Sequence, residues 1–236
     1  MIKVSNLTLE LGGRIILENL GFELGAGKTL VVLGKNGSGK SVLLKTIAGL
    51  IKGYSGSIKI DEAGSKIAYV FQKGGLFDSI DVFRNVAFPL RNSGLADEKI
   101  EEIVTGSLES VGLKNVQGKF PSELSGGMQK RVGLARALVQ GAQIILYDDP
   151  TAGLDPILSD AISDLMNDIR TRTGAASIVA THDLRVAQKI ADSVMLIYTG
   201  RPVFYGSAAD FFSKDDGFAR QFIEGDIEGP IDVYKL

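Results

Sequence analysis

The sequence predicts an α/β fold with a mainly parallel core sheet, an N-terminal antiparallel β part and an all-helical insert, and three observations carry that expectation. An apolar run, Thr29–Leu33, leads into the glycine-rich stretch 34–41, which opens onto apolar residues at helical spacing up to Leu50. From Gln143 onward, short apolar runs alternate with helical periodicity, as βαβ crossovers require. Between residues 81 and 140 the periodicity is helical throughout.

Taken in order, residues 2–10 alternate apolar and polar, and a second run, Arg14–Leu24, follows Gly12-Gly13, so the chain starts as an antiparallel pair. Thr29–Leu33 reads as a buried strand. Residues 56–60 and 66–70 read as two more strands, separated by a turn at residues 61–65. Helices are expected over 82–90, over 97–111 with its acidic first turn, and over 126–140 behind Pro121. Then come a strand at 144–147, a helix at 157–172, a strand at 177–181, a helix over Leu184–Ile190 and a strand at 194–198. Residues 203–206 form a short edge strand and 208–212 a helix. The acidic stretch 224–232, with Gly225, Gly229 and Pro230, reads as an extended tail. The whole is one domain: a core at 1–72 and 141–215, a helical part at about 73–140 and a tail at 216–236.

Composition narrows the function. Lys and Arg number 26 against 28 Asp and Glu, a near-neutral balance that argues against nucleic acid as a partner. There is no cysteine, which excludes disulfides and thiolate metal sites. No apolar run approaches the ~20 residues that span a bilayer, and the first ten residues lack the apolar core of a signal peptide. The chain is therefore expected on the cytosolic side, with any membrane role supplied by a partner.

The stretch Gly34, Lys35, Asn36, Gly37, Ser38, Gly39, Lys40 and Ser41, followed by Val42, reads as a phosphate cradle. Its glycines let backbone N–H groups turn inward around an anion, and the helix N-terminus adds its positive end. Lys40 would reach the β- and γ-phosphates and the Ser41 hydroxyl would ligate Mg²⁺. The strand at 144–147 runs into two carboxylates, where ligands of an open α/β sheet sit. Asp148 takes the metal side and Asp149 the water side. Ser125, Gly126 and Gly127 open a helix, an ordinary helix start that beside the phosphate loop becomes a second anion site.

On these residues the chain resembles the ATP-binding-cassette ATPases, which are P-loop NTPases, over positions 1–215. Residues 34–41 match the phosphate loop, Gln72 the Q-loop, 124–129 the signature and 144–149 the Walker B strand. Residues 152–155 match the D-loop, and His182, the single histidine, the switch histidine. The resemblance implies ATP and Mg²⁺ as cofactors. It implies that His182 contacts the γ-phosphate, that Gln72 senses Mg²⁺ and the attacking water, and that Ser125 with Gly127 binds the γ-phosphate of a nucleotide held by a second copy. Asp155 would lie at the seam of that homodimer, and an integral membrane permease would be the further partner.

Two positions depart from the family pattern. Asp149 stands where a glutamate is usual, withdrawing the carboxylate by ~1.5 Å, and misplacement of ~1 Å can cost ~10²-fold in rate. Hydrolysis is then slow, or the loop shifts to compensate. Leu11 stands where many members place an aromatic that stacks on adenine, leaving aliphatic contact assisted by Arg14.

Residues 74–91 and the tail at 221–231 are similar to the ATPase subunits of Mla-type phospholipid transporters, which work with an MlaE-like permease and a lipid-binding MCE protein. That implies a place on the cytoplasmic face of the inner membrane. A small regulatory subunit, the substrate and the direction of transport stay open. So do two other readings, an ATPase for another small substrate and a soluble non-transport ATPase of the same family.

Overall fold

A computed structural model describes residues 1–60 and 65–232. Most of the turn expected at 61–65, and the last four residues of the tail, lie outside the described residues. Strands β1 (Ile2–Leu11) and β2 (Arg14–Leu24) form a hairpin. It turns on Gly12 and Gly13, both at positive φ, as a tight twist-matched turn requires. Strand β3 (Thr29–Leu33) leads into α1 (Lys40–Ile47), and β4 (Ser55–Ile60) adds to the other side of β1. The expected antiparallel pair is thus a three-stranded sheet, ordered β2-β1-β4.

After β5 (Ile67–Val70) the chain enters its helical part: α2 (Val82–Ala87), α3 (Asp97–Ser110) and α4 (Gly126–Leu138). The first of these ends earlier than its apolar spacing predicts, giving way to a 3₁₀ turn at Phe88–Leu90. Pro89 is the reason, since it has no N–H to give to the α-helical ladder and its ring clashes with the preceding turn. Val82, Val86, Val104, Leu108 and Val132 interlock to form the core of the insert.

Strand and helix then alternate through β6 (Ile144–Asp148), α5 (Pro156–Thr173), β7 (Ala176–Ala180), α6 (Leu184–Ile190) and β8 (Ser193–Tyr198). Strand β9 (Arg201–Ser207), α7 (Ala208–Ser213) and α8 (Gly217–Glu224) complete the chain. The main sheet is ordered β5-β6-β7-β3-β8-β9, parallel except for β9. Strand β3 lies inside it and is buried along its whole length, as expected of a parallel strand covered on both faces. Its side chains alternate between two cores. Leu30 and Val32 pack with α1 and the antiparallel sheet, and Val31 and Leu33 pack beneath the helices on the other face.

The described part of the tail, residues 216–232, is not the extended segment that its composition suggested. It begins as helix α8, and Ile231 folds back into the main core at 5% exposure. Composition misleads here because one buried amide does the work of a neighbouring strand. Gln221 Nε2 donates to Ile231 O at 2.9 Å, and Gln221 Oε1 accepts from Ile231 N at 2.6 Å. The Tyr198 hydroxyl pairs in the same way with the backbone of Asp232.

Replacing Gln221 with Leu strands both Ile231 backbone groups at a cost of about 1–3 kcal/mol. Amide exchange over residues 226–231 should then quicken roughly tenfold or more while β3 stays protected; equal protection in both proteins would remove the tie.

Candidate active site

The C-terminal ends of β3, β6 and β7 lie side by side, and most of the candidate residues gather on that edge. One open cleft of about 600 Å³ is lined by Asn36, Gly37, Gly39, Lys40, Ser41 and Val42 from the loop after β3. Gln72, Asp148, Asp149 and His182 face them across it. Gly34 and Ser38 are buried within the loop itself.

The loop has its shape because of its glycines. Gly37 and Gly39 hold φ of 83° and 104°, and a Cβ on Gly39 would come within 2.8 Å of the Leu17 side chain. Backbone in this region suits glycine alone at so close an approach. The Lys40 ammonium rests inside the turn, 2.7 Å from Gly34 O and 2.8 Å from Lys35 O. Burial lowers its pKa, against the pull of the Asp149 and Asp148 charges.

Across the cleft, Ser41 Oγ donates to Asp148 Oδ1 at 2.6 Å, and the Tyr69 hydroxyl donates to Asp148 Oδ2 at 2.8 Å. Burial, then the Asp148 charge, pushes the Tyr69 phenol far above its usual range, so it stays a proton donor. The backbone bends sharply at the end of β6, where Asp149 sits at φ 47°. Its Oδ1 accepts from Thr181 Oγ1 at 3.2 Å, and its Oδ2 lies 3.3 Å from His182 Nδ1. The chain therefore holds one carboxylate toward Ser41 and the next toward His182.

These donors suit a hard cation that also binds phosphate. Among the described residues there is no cluster of three or more His, Asp or Glu that could hold a metal. Ser41 and Asp148 supply adjacent oxygens, and Mg²⁺ is commonly held by one or two protein oxygens, with phosphate and water completing its shell. An all-protein cage is not needed.

The remaining candidates stand elsewhere. Ser125 caps α4 through Met128 N at 3.3 Å, and Asp155 caps α5 through Ile157 N and Leu158 N at 2.9 and 3.0 Å. Ser125, Gly126 and Asp155 are exposed and Gly127 is buried, and none of the four lines the cleft. Arg14 is exposed on β2 and does not line it either; Ile16, two residues on, does.

Sequence reasoning passed over Tyr69, Thr181 and two cations on α4. Buried Lys130 donates to Gln72 O at 2.9 Å, and Arg136 donates to Gly75 O and Gly74 O at 2.9 and 3.0 Å. Desolvation lowers the pKa of both. A Cβ on Gly133 would meet Gly74 O at 3.1 Å, so the backbone of residues 72–75 lies directly against the helix. No local spacing marks these residues, because their partners are 32 to 79 positions away.

The family follows from comparison with known proteins. A sequence family described as "ABC transporter" matches residues 17–152. The chain is 38% identical over 244 residues to the "Probable ribonucleotide transport ATP-binding protein mkl" of Mycobacterium leprae, covering 98% of this chain and 70% of that one. It is 35% identical over 245 residues to the "Intermembrane phospholipid transport system ATP-binding protein MlaF" of Haemophilus influenzae, covering 98% and 93%. A solved ATP-binding cassette, dimeric and bound to ADP and Pi after hydrolysis, superposes with a TM-score of 0.78 at 28% identity, covering 88% of this chain and 99% of that one. By the family match over more than half of its length and these relatives, the chain belongs to the ABC transporter family of ATP-binding subunits.

Proposed function

We propose that two copies of this chain hold two MgATP between them, and that hydrolysis drives a membrane permease that moves phospholipid. One observation carries the first part. The cleft contains the loop, both carboxylates and His182, while Ser125, Gly126, Gly127 and Asp155 stand outside it on the N-termini of α4 and α5. A site so divided is completed by a second copy.

In this reading Lys40 and the loop N–H groups hold the β- and γ-phosphates. Ser41 and Asp148 hold Mg²⁺ with Gln72 nearby, and the ion neutralises charge on the phosphates. Asp149 orients the attacking water, His182 contacts the γ-phosphate, and Asp155 lies at the seam. With its short arm engaged by Thr181 and His182, Asp149 makes a poor water-side group. Hydrolysis is slow. The base rests on aliphatic surface near Leu11 and Ile16, with Arg14 at the hairpin tip.

Among the described residues no helix is long and apolar enough to cross a membrane, so attachment to the cytoplasmic face of the inner membrane comes through the permease. A groove of about 660 Å³ lined by Leu50, Tyr69, Phe71, Phe77 and Phe88 supports a permease helix as its occupant. The phospholipid reading rests on the relative named for intermembrane phospholipid transport, 93% of whose length is matched. It brings an MlaE-like permease and an MCE lipid-binding protein as partners. A different small substrate is favoured by the relative named for ribonucleotide transport, at 38% identity.

Mild solubilisation of native membranes, pull-down of this chain and mass spectrometry of proteins and lipids separates the two. A polytopic permease, an MCE protein and bound phospholipid are expected; a permease with another substrate-binding protein discards the lipid. Asp149→Glu should raise single-turnover hydrolysis roughly tenfold to a hundredfold with ATP affinity unchanged, and an unchanged rate removes the slow-site reading. GTP should compete with ATP within about tenfold, because aliphatic contact discriminates weakly between bases; a strict ATP preference in a competition assay removes the aliphatic base site.

A further inference from the structure

The geometry points to Tyr69 as a positioning residue for the metal-side carboxylate, and as the side chain that joins this carboxylate to the aromatic groove beside β5. The inference rests on the reading of the cleft as a MgATP site. Asp148 is buried at 8% exposure, and its two oxygens have different neighbours. Oδ1 is held by Ser41 at 2.6 Å and Oδ2 by the Tyr69 hydroxyl at 2.8 Å. The terminal torsion of an aspartate is broad and roughly two-fold, so one hydrogen bond leaves the plane of the carboxylate free to swing. Two hydrogen bonds on different oxygens fix it. Tyr69 thereby orients Asp148 toward Ser41, and with it the pair of oxygens offered to the cation. Groups that orient a metal ligand in this way contribute strongly to affinity without touching the ion.

Packing alone does not call for a hydroxyl here. Residue 69 is half-buried on β5, the edge strand of the main sheet, paired in register with Leu146. Val, Ile or Phe would suit such a position. The phenol's reach to Asp148, 79 residues away in sequence, is what distinguishes tyrosine from them.

The ring has a second set of neighbours. It lines the groove with Phe71, Phe77 and Phe88, and its centroid lies 4.4 Å from that of Phe71, which is 38% exposed. One rigid side chain therefore forms part of the groove wall and holds a carboxylate of the cleft. A change in how the groove is filled repacks Phe71 against Tyr69 and alters the hold on Asp148, with no movement of the main chain.

The test uses the full chain with a non-hydrolysable ATP analogue and Mn²⁺ in place of Mg²⁺, reading bound metal by electron paramagnetic resonance. Tyr69→Phe keeps the ring and removes the hydroxyl. It should weaken Mn²⁺ binding about tenfold while leaving analogue affinity in EDTA unchanged, which also reports that the variant is folded. Unchanged Mn²⁺ affinity overturns the positioning role. A wild-type chain that binds the analogue but no Mn²⁺ overturns the MgATP reading itself, a result distinguishable from the first. Phe71→Leu, made in the wild-type and in the Tyr69→Phe background, tests the link to the groove. It should weaken Mn²⁺ about threefold in the first and have no effect in the second. Equal effects in both backgrounds would mean that Phe71 acts through neighbouring Gln72, and would overturn the link.

Discussion

The parallel pairing of β6, β7 and β3 is the constraint on which the site depends. It sets Asp148 opposite Ala180 in register and places β3 on the far side of β7 from β6, so three loops from distant parts of the sequence emerge at one edge. Ser41 and Asp148, 107 residues apart, meet there at 2.6 Å. Loss of that register by one residue would turn each alternating side chain to the opposite core. The apolar residues of β3, divided between two cores, hold the register. The site is thus fixed by the burial of Leu30, Val31, Val32 and Leu33, none of which takes part in its chemistry.

Two successive residues at the end of β6 are given different work by the backbone. Asp148 is the last residue of the strand and stays with Ser41 and Tyr69. Asp149, in a left-handed conformation uncommon for a non-glycine residue, turns toward Thr181 and His182. The difference in their surroundings follows from that bend, since the side chains are chemically identical.

How much of this could be read from the sequence depends on how far apart the partners lie. The strand, glycine loop and helix at 29–47 are contiguous, and their chemistry is written in adjacent residues, so both their fold and their place in the cleft were legible. The parallel core and the helical insert were legible from periodicity for the same reason. The strand at 56–60 was legible too, but not its place in the small sheet, because β4 pairs with β1 across some fifty residues and nothing local marks the pairing. Tyr69 read as one more residue of a strand, although its hydroxyl has a partner 79 positions away. The end of the chain misled in the opposite sense. Acidic residues with glycine and proline suggest an extended segment, and do not reveal that Gln221 supplies Ile231 with the two hydrogen bonds that let it enter the core.

Helix α4 has mechanical properties that its sequence does not announce. Ser125 stands at its start, and along its flank Lys130, Gly133 and Arg136 clasp the backbone of residues 72–75. A clasp of main-chain carbonyls by buried cations does not loosen through rotamer changes in the clasped residues, so the helix and the Gln72 segment behave as a strut and its bracket. The strut's tip, Ser125, stands outside the cleft, while Gln72 of the bracket lines it. Nothing need be relayed along a chain of side chains, because displacement at either end is displacement at the other.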